Sequence, residues 1–153
     1  MLLVEVARAF ELGGVRYAVV GGYAVALHGA VRGTVDLDLV LELDRANYEA
    51  AEAALLSLGF QARLPLRASD VFDQRLDHIR HRNLLAWSFV DPKDPSRLVD
   101  ILIAYEAVPL STIVKTIGGV RVQVLDKREL IAMKTASGRP QDLEDVRALE
   151  HLS

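Results

Sequence analysis

The sequence contains no cysteine and is poor in aromatic residues, which make up 6% of its 153 residues. The absence of cysteine excludes disulfides and thiolate metal sites. It is compatible with a reducing cytoplasm, where we expect the protein to act. An excess of basic charge is also missing, because the net charge is −3. The protein as a whole therefore does not attract nucleic acid nonspecifically, and a polyanion must be met by a local basic patch.

The amino-terminal segment lacks a long apolar run, because Glu5, Arg8 and Glu11 interrupt an amphipathic pattern. We therefore expect neither a signal peptide nor a membrane-spanning segment there. Hydrophobic residues make up 51% of the chain and charged residues 25%, an ordinary globular balance. The length suits one compact domain that covers residues 1–153.

Apolar spacing and helix breakers predict a mixed α/β (α+β) domain, in which helices pack around a mixed, twisted β-sheet. The stretch 61–82 is rich in arginine, histidine and aspartate and has two interpretations. It is either a salt-bridged, solvated surface or a contact to the phosphates of a nucleic-acid acceptor. The predicted strands are 15–20, 35–43, 84–90, 97–104 and 119–125, and the predicted helices are 2–12, 23–29, 45–58, 106–116, 126–137 and one that begins at Pro140.

Two aspartates interrupt the predicted strand 35–43, whose sequence is VDLDLVLEL. Asp36 and Asp38 are two residues apart, so on a strand their side chains point to the same face, roughly 6–7 Å apart. Carboxylates in this position repel each other unless a cation lies between them, and Mg²⁺ prefers oxygen ligands. The alternative is that both aspartates are solvated at an exposed strand end and have no function.

A third acidic residue, Asp100, is the only charge within the apolar run LVDILIA. Buried charges are paired or coordinate a metal, because an unpaired buried carboxylate costs several kcal/mol. If the strand 97–104 lies beside the strand 35–43, three carboxylates converge on one face. The alternative is that Arg97 or another arginine pairs with Asp100.

The pair Gly21-Gly22 separates a predicted strand from a predicted helix. Glycines at such a turn let the backbone approach a ligand closely, and the free N–H groups at the helix start favour a phosphate. Tight packing of the turn is the alternative explanation. A glycine pair followed by Asp-x-Asp is a more specific signal than either feature alone.

Together these residues resemble the signature of the nucleotidyltransferase superfamily, which has the DNA polymerase β-like fold. In that family a Gly-Gly or Gly-Ser pair precedes Asp-x-Asp, and a third carboxylate follows on a later strand. The segment RGTVDLDL (32–39) is similar to the form found in AbiEii-type toxins, and also to that of small antibiotic nucleotidyltransferases. The segment LIAMKTASGRPQDLEDV (130–146) resembles the carboxy-terminal lysine motif of the AbiEii-like group.

The resemblance implies a Mg²⁺-dependent enzyme that transfers a nucleoside monophosphate from an NTP to an acceptor hydroxyl. Two Mg²⁺ ions are implied, with Mn²⁺ as a substitute, held by Asp36, Asp38 and Asp100. Asp100 would also take the acceptor proton. The nucleotide would be bound by Gly21, Gly22, Arg32, Thr34 and Lys134, and Lys134 would also assist the chemistry; Asp142 would hold the local geometry.

The acceptor and the partner are less well specified. Many members of the family carry a larger helical domain that grips the acceptor, and this sequence shows no counterpart after Gly138. The resemblance therefore implies a small acceptor, an acceptor (tRNA or protein) held by a homodimer or another chain, or a protein that is no longer catalytic. A toxin role with an antitoxin partner is implied only by the AbiEii likeness.

Two other hypotheses concern the function itself. A glycosyltransferase also uses Asp-x-Asp to bind a metal and a sugar nucleotide, but the upstream glycine pair and Asp100 argue against it. A non-catalytic member would act as a partner-binding or regulatory subunit. It predicts that Asp38→Asn leaves the biological effect intact, whereas the enzyme hypothesis predicts its loss.

Overall fold

The computed structural model describes residues 1–30, 33, 36–106 and 109–152. Within them the chain forms seven helices and one sheet of seven strands. The helices are α1 (Leu2–Leu12), α2 (Gly21–Leu27), α3 (Arg45–Ser57), α4 (Ala68–Asp73), α5 (Arg75–His81), α6 (Lys127–Ser137) and α7 (Pro140–Glu150). The strands are β1 (Tyr17–Val20), β2 (Leu37–Leu41), β3 (Gln61–Ala62), β4 (Ala86–Asp91), β5 (Asp94–Leu102), β6 (Thr112–Ile117) and β7 (Val120–Leu125). This confirms the mixed α/β prediction.

The order of strands in the sheet is β3-β4-β5-β2-β1-β7-β6. The pairs β2–β5 and β1–β7 are parallel, and the other pairs are antiparallel, so the sheet is mixed as predicted. The parallel pairing of β2 with β5 is the feature that matters for function, because it joins the two strands on which the sequence places its aspartates.

One face of the sheet is covered by α1 and α3. Phe10 of α1 packs edge-on against Tyr17 of β1, with ring centroids 5.1 Å apart. Tyr48 of α3 stacks on Trp87 of β4 at 6.0 Å. Residues of β2 on this face, such as Leu39, are fully buried. Side chains alternate along a strand, so Asp38 points to the opposite face.

Two of the helices begin with a side-chain cap, and a third helix end is marked by glycine. The carboxylate of Asp44 accepts a hydrogen bond from the N–H of Asn47 at the start of α3, and that of Asp126 accepts one from Glu129 at the start of α6. The helix α6 ends at Gly138 in the left-handed conformation. Such caps satisfy backbone groups that a helix end leaves free.

The helix predicted over 106–116 is wrong, because residues 112–117 form β6; Ala107 and Val108 are outside the described residues. The segment Thr-Ile-Val-Lys-Thr-Ile is rich in β-branched residues, which favour strands. It pairs antiparallel with β7 across Gly118-Gly119, whose φ angles of 56° and 76° suit a tight hairpin turn.

The stretch 61–82 forms the short edge strand β3 and the helices α4 and α5. Several of its charges form ion pairs. Arg67 contacts Glu52 of α3 at 3.2 Å, and Arg82 contacts Asp77 at 3.3 Å.

No helix in the described part of the chain is both long and apolar enough to cross a membrane.

Candidate active site

The central feature of the candidate site is a pair of carboxylates on neighbouring strands. Asp38 of β2 and Asp100 of β5 are direct partners in the parallel register. Neighbouring strands lie about 4.8 Å apart, so the two side chains rise side by side from the same face. Ser88 of β4 is in register with Asp100, and its Oγ donates a hydrogen bond to Oδ1 of Asp100 at 2.5 Å. The strands 35–43 and 97–104 therefore lie side by side, which is the condition under which the sequence analysis expects their carboxylates to converge.

The glycine turn meets this pair directly. Val20, the last residue of β1, is paired with Asp38, so Gly21 begins α2 beside the Asp38 carboxylate. Gly21 has a φ of +67°. A Cβ at Gly21 would lie 3.0 Å from Cβ and Cγ of Asp38 and would overlap Oδ2. Only glycine therefore allows this close approach between the turn and the carboxylate.

We expect Gly21→Ala to lower the free energy of unfolding by about 2–4 kcal/mol, through backbone strain and the overlap with Asp38. Gly14 is a matched control, because its φ is also +67° and its added Cβ would meet nothing within 4 Å. Gly14→Ala should therefore cost only about 1 kcal/mol. Urea denaturation of both variants measures the difference, and equal losses would contradict a close approach at Gly21.

The electrostatics of the pair favour a bound cation. Burial, together with the carboxylates of Asp100 and Asp36, raises the pKa of Asp38 to about 6, while the charges of Lys134 and Arg139 act in the opposite direction. A raised pKa means that the protein holds negative charge here at a cost in free energy. A cation placed between the carboxylates would relieve that cost.

A buried ion-pair cluster joins α6 to α7 near the carboxylate pair. Lys134 Nζ lies 2.8 Å from Oδ2 of Asp145 and 3.6 Å from Oδ1 of Asp142. The three side chains are 8%, 3% and 4% exposed, respectively. Gln141 Nε2 donates to the other oxygen of Asp145 at 3.0 Å.

Arg139 extends the cluster toward solvent. Its Nε lies 2.8 Å from Oδ2 of Asp142, and its side chain is 75% exposed. Burial raises the pKa of Asp142, but hydrogen bonds from Arg139 and Ser137, together with the charges of Arg139 and Lys134, bring that pKa down to about 2. Asp142 is therefore ionised across the physiological range and holds Arg139 near the start of α7, as its proposed geometric role requires.

The other predicted site residues occupy different positions. Asp36 immediately precedes β2 and is exposed. Gly22 is buried in the first turn of α2. Arg32 and Thr34, which were predicted to bind the nucleotide, lie outside the described residues. The pairing of Arg97 with Asp100 is not observed, because Arg97 contacts Asp91 at 3.1 Å and Glu5 at 3.0 Å.

Three residues at the site were missed by the sequence interpretation, namely Ser88, Arg139 and Asp145. The hairpin register would have found Ser88, since it faces Asp100 across β4 and β5. The spacing of Asp142 and Asp145 on one helical face signals a shared cation, which Lys134 supplies. Arg139 has only a weak signal, its position before the helix-opening Pro140.

The oxygen donors of the site can be compared with the ligands that a divalent metal prefers. Among residues 1–30, 33, 36–106 and 109–152, no group of three or more acidic or imidazole side chains is already gathered around one point. Mg²⁺ in nucleotide sites is commonly held by only one or two carboxylates, and substrate phosphates and water complete the shell. The adjacent oxygens of Asp38 and Asp100, with the raised pKa of Asp38, fit that arrangement.

The sequence matches no family model and no curated protein. Solved structures do resemble this fold. The solution structure of the antibiotic-resistance factor ANT(2'')-Ia has a TM-score of 0.63 and 16% identity, over 97% of this chain and 80% of that one. ANT(2'')-Ia in complex with adenylyl-2''-tobramycin has a TM-score of 0.60 and 16% identity, over 95% and 83%. The lincosamide antibiotic adenylyltransferase LnuA, with lincomycin bound, has a TM-score of 0.60 and 13% identity, over 94% and 91%.

These structures cover nearly the whole of this chain. The chain therefore has the nucleotidyltransferase fold, as the resemblance of its glycine pair and aspartates implied. Identities of 13% and 16% leave substrate and chemistry to be argued from this chain's own residues.

Proposed function

We propose that the protein is a Mg²⁺-dependent nucleotidyltransferase that moves a nucleoside monophosphate from an NTP to a hydroxyl group of a small molecule. The observation that carries this proposal is the in-register pair Asp38–Asp100, whose charge is unfavourable without a cation. The fold supports the reaction class, since ANT(2'')-Ia and LnuA share it. We place the reaction in the cytoplasm, where NTPs and Mg²⁺ are available.

Asp38 and Asp100 would hold the metal, with Asp36 at the start of β2 as a further ligand. Two Mg²⁺ ions, or Mn²⁺ in their place, would act as Lewis acids that neutralise the triphosphate and increase the acidity of the acceptor hydroxyl. Oxygen donors of this kind suit both ions. Phosphoryl-type transfer depends mostly on positioning and charge stabilisation, so the chain needs no covalent nucleophile.

The reaction forms one P–O bond and breaks another. The acceptor oxygen attacks the α-phosphorus of the NTP, and the bond from that phosphorus to the oxygen that bridges to the β-phosphate breaks. Pyrophosphate leaves with the bonding electron pair. Asp100 is positioned to take the acceptor proton, because the hydrogen bond from Ser88 fixes one of its oxygens and leaves the other available.

The turn Gly21-Gly22 and Arg139, the residue that precedes α7, are proposed to bind the nucleotide. Gly21 and Gly22 would let the phosphates approach the backbone beside Asp38, and Arg32 and Thr34 would also bind the nucleotide. Arg139 would reach the phosphates, because most of its side chain is exposed and its charge already acts on Asp38. Lys134 would act through its positive charge at Asp38 and by anchoring α6 to α7.

The test is transfer of label from each α-labelled NTP in the presence of Mg²⁺. Pools of small hydroxyl compounds, antibiotics, tRNA and cell protein serve as acceptors. The tRNA and protein pools test the alternative acceptors. These belong to a toxin role with an antitoxin partner, or to a homodimer that holds the acceptor. We expect label in a small-molecule pool, lost with EDTA and in Asp36→Asn/Asp38→Asn.

Each other outcome is informative. Label only in tRNA or protein would overturn the small-molecule assignment and favour the toxin-like role. Transfer from a sugar nucleotide instead of an NTP would revive the glycosyltransferase hypothesis. The absence of both transfer and NTP binding would overturn the enzyme proposal and favour a non-catalytic subunit.

A further inference from the structure

A cavity of about 300 Å³ opens at the β3 side of the sheet. Ser88, which donates the hydrogen bond to Asp100, is one of its lining residues. A molecule in this cavity would therefore lie one side chain away from the carboxylate that is proposed to take the acceptor proton. The rest of the lining is Arg63, Leu64, Leu66, Leu84, Ala86 and Trp87.

The register of the sheet aligns this cavity with the catalytic pair. The N–H of Arg63 donates to the carbonyl oxygen of Ser88 at 2.9 Å, which continues the β3–β4 pairing by one residue. Arg63, Ser88, Asp100 and Asp38 therefore follow one another across four adjacent backbone segments. At about 4.8 Å per strand, the row extends roughly 15 Å from Asp38 to Arg63.

The lining is apolar except for one hydroxyl and one cation. Four of the seven lining residues are leucines or alanine, and no lining residue is acidic. Arg63 is exposed and takes part in no side-chain ion pair or hydrogen bond within the described part of the chain. A polycationic acceptor such as an aminoglycoside needs carboxylates around it, so it does not match this lining.

We propose that this cavity is the acceptor site and that it selects a compact hydroxyl compound with an apolar body, either uncharged or anionic at the end remote from the hydroxyl. The inference rests on the proposed function and adds the acceptor class to it. The hydroxyl would point past Ser88 toward Asp100, the apolar body would contact Leu64, Leu84 and Ala86, and the remote group would face Arg63. A volume near 300 Å³ is at the small end of ligand pockets.

Trp87 provides a test that does not depend on catalysis, because it is the only tryptophan in the chain and belongs to the cavity lining. Its ring is buried against Tyr48, so its fluorescence reports occupancy of the cavity through the adjoining residues Ala86 and Ser88. Its fluorescence can be titrated with three probes of equal length, ω-hydroxyoctanoate, octane-α,ω-diol and ω-amino-octanol. We expect saturable changes, with the anion binding about 3- to 5-fold more tightly than the diol, and the cation most weakly. Absence of any saturable change, or preference for the cation, would overturn the proposal.

Two variants locate the binding within the cavity. Arg63→Gln should bring the dissociation constants of the anion and the diol within about 2-fold of each other. Arg8 is an exposed arginine on α1, and Arg8→Gln should leave both dissociation constants unchanged. Ala86→Leu fills part of the cavity and should weaken all three probes about 10-fold or more. It should also raise the KM for the acceptor and leave the KM for the NTP unchanged. An Ala86→Leu variant that is folded and binds like the wild type would overturn the proposal.

Failure of this inference and failure of the proposed function give different results. Transfer to an acceptor without any change in Trp87 fluorescence would overturn the proposal that the cavity binds the acceptor. The proposed nucleotidyltransferase function would then still be supported. A saturable response of Trp87 without transfer to any acceptor would overturn the function, and with it the acceptor role of the cavity. In Asp38→Asn, probe binding should persist while transfer is lost.

Discussion

Asp38→Asn is expected to lower the rate of nucleotidyl transfer about 1000-fold while the protein stays folded. The substitution keeps the size of the side chain and removes one of the two adjacent carboxylates that would hold the metal. Electrostatic stabilisation of the transition state is usually the largest contribution to such catalysis, and losing one well-placed group costs about 100- to 1000-fold. The measurement is single-turnover transfer at saturating NTP and Mg²⁺.

The same variant should be at least as stable as the wild type in the absence of metal. Burial and the neighbouring carboxylates raise the pKa of Asp38 to about 6 from the ordinary 3.8. The folded state therefore favours the protonated carboxyl, and this contribution to stability is present below about pH 4 and lost as pH rises through about 6. At about pH 7.5, Asp38→Asn should raise the free energy of unfolding by about 1–2 kcal/mol, with little effect at about pH 4.

Asp94→Asn is a matched control for this experiment. It makes the same chemical change at the other end of β5, about 20 Å from Asp100 by the rise of a strand. We expect wild-type transfer from this variant. A slow Asp38→Asn enzyme that is also less stable at neutral pH would indicate a structural role for Asp38 and contradict the catalytic one.

Lys134→Met is expected to lower the free energy of unfolding by about 3–5 kcal/mol. The substitution removes from the buried Asp145 its lysine partner, whose Nζ lies 2.8 Å from Oδ2, while Gln141 still donates to the other oxygen. Removing one member of a buried ion pair costs about this much, since the remaining charge is uncompensated. Asp142 is less affected, because Arg139 still contacts it. Urea denaturation at neutral pH measures the loss.

A double variant and a surface control isolate the cause. Lys134→Met/Asp145→Leu should recover most of the lost stability, because replacing both members of a buried pair with apolar residues is often neutral. Lys93→Met, in the exposed turn between β4 and β5, should change the stability by less than about 0.5 kcal/mol. A small effect of Lys134→Met alone would contradict a buried ion pair as the link between α6 and α7.

The local elements could largely be predicted from the sequence, because each depends on short-range chemistry. Asp44 and Asp126 mark helix starts, since their carboxylates accept hydrogen bonds from the first turn. The prediction failed for 112–117, where a helical interpretation missed a strand that pairs with β7 in a hairpin. In so short an apolar segment the spacing fits a helix as well as a strand, and the β-branched residues and the Gly118-Gly119 turn are the local signals that favour the hairpin.

The sequence by itself determined the components of the site: the glycine pair, the Asp-x-Asp strand and the lone aspartate of LVDILIA. These signals are local, because each residue type conflicts with its apolar surroundings. Only the tertiary structure decided that β2 and β5 pair in parallel with Asp38 opposite Asp100, and that Lys134 is held by Asp145. These contacts join segments brought together by sheet order and helix packing, so their register depends on the burial of the whole core.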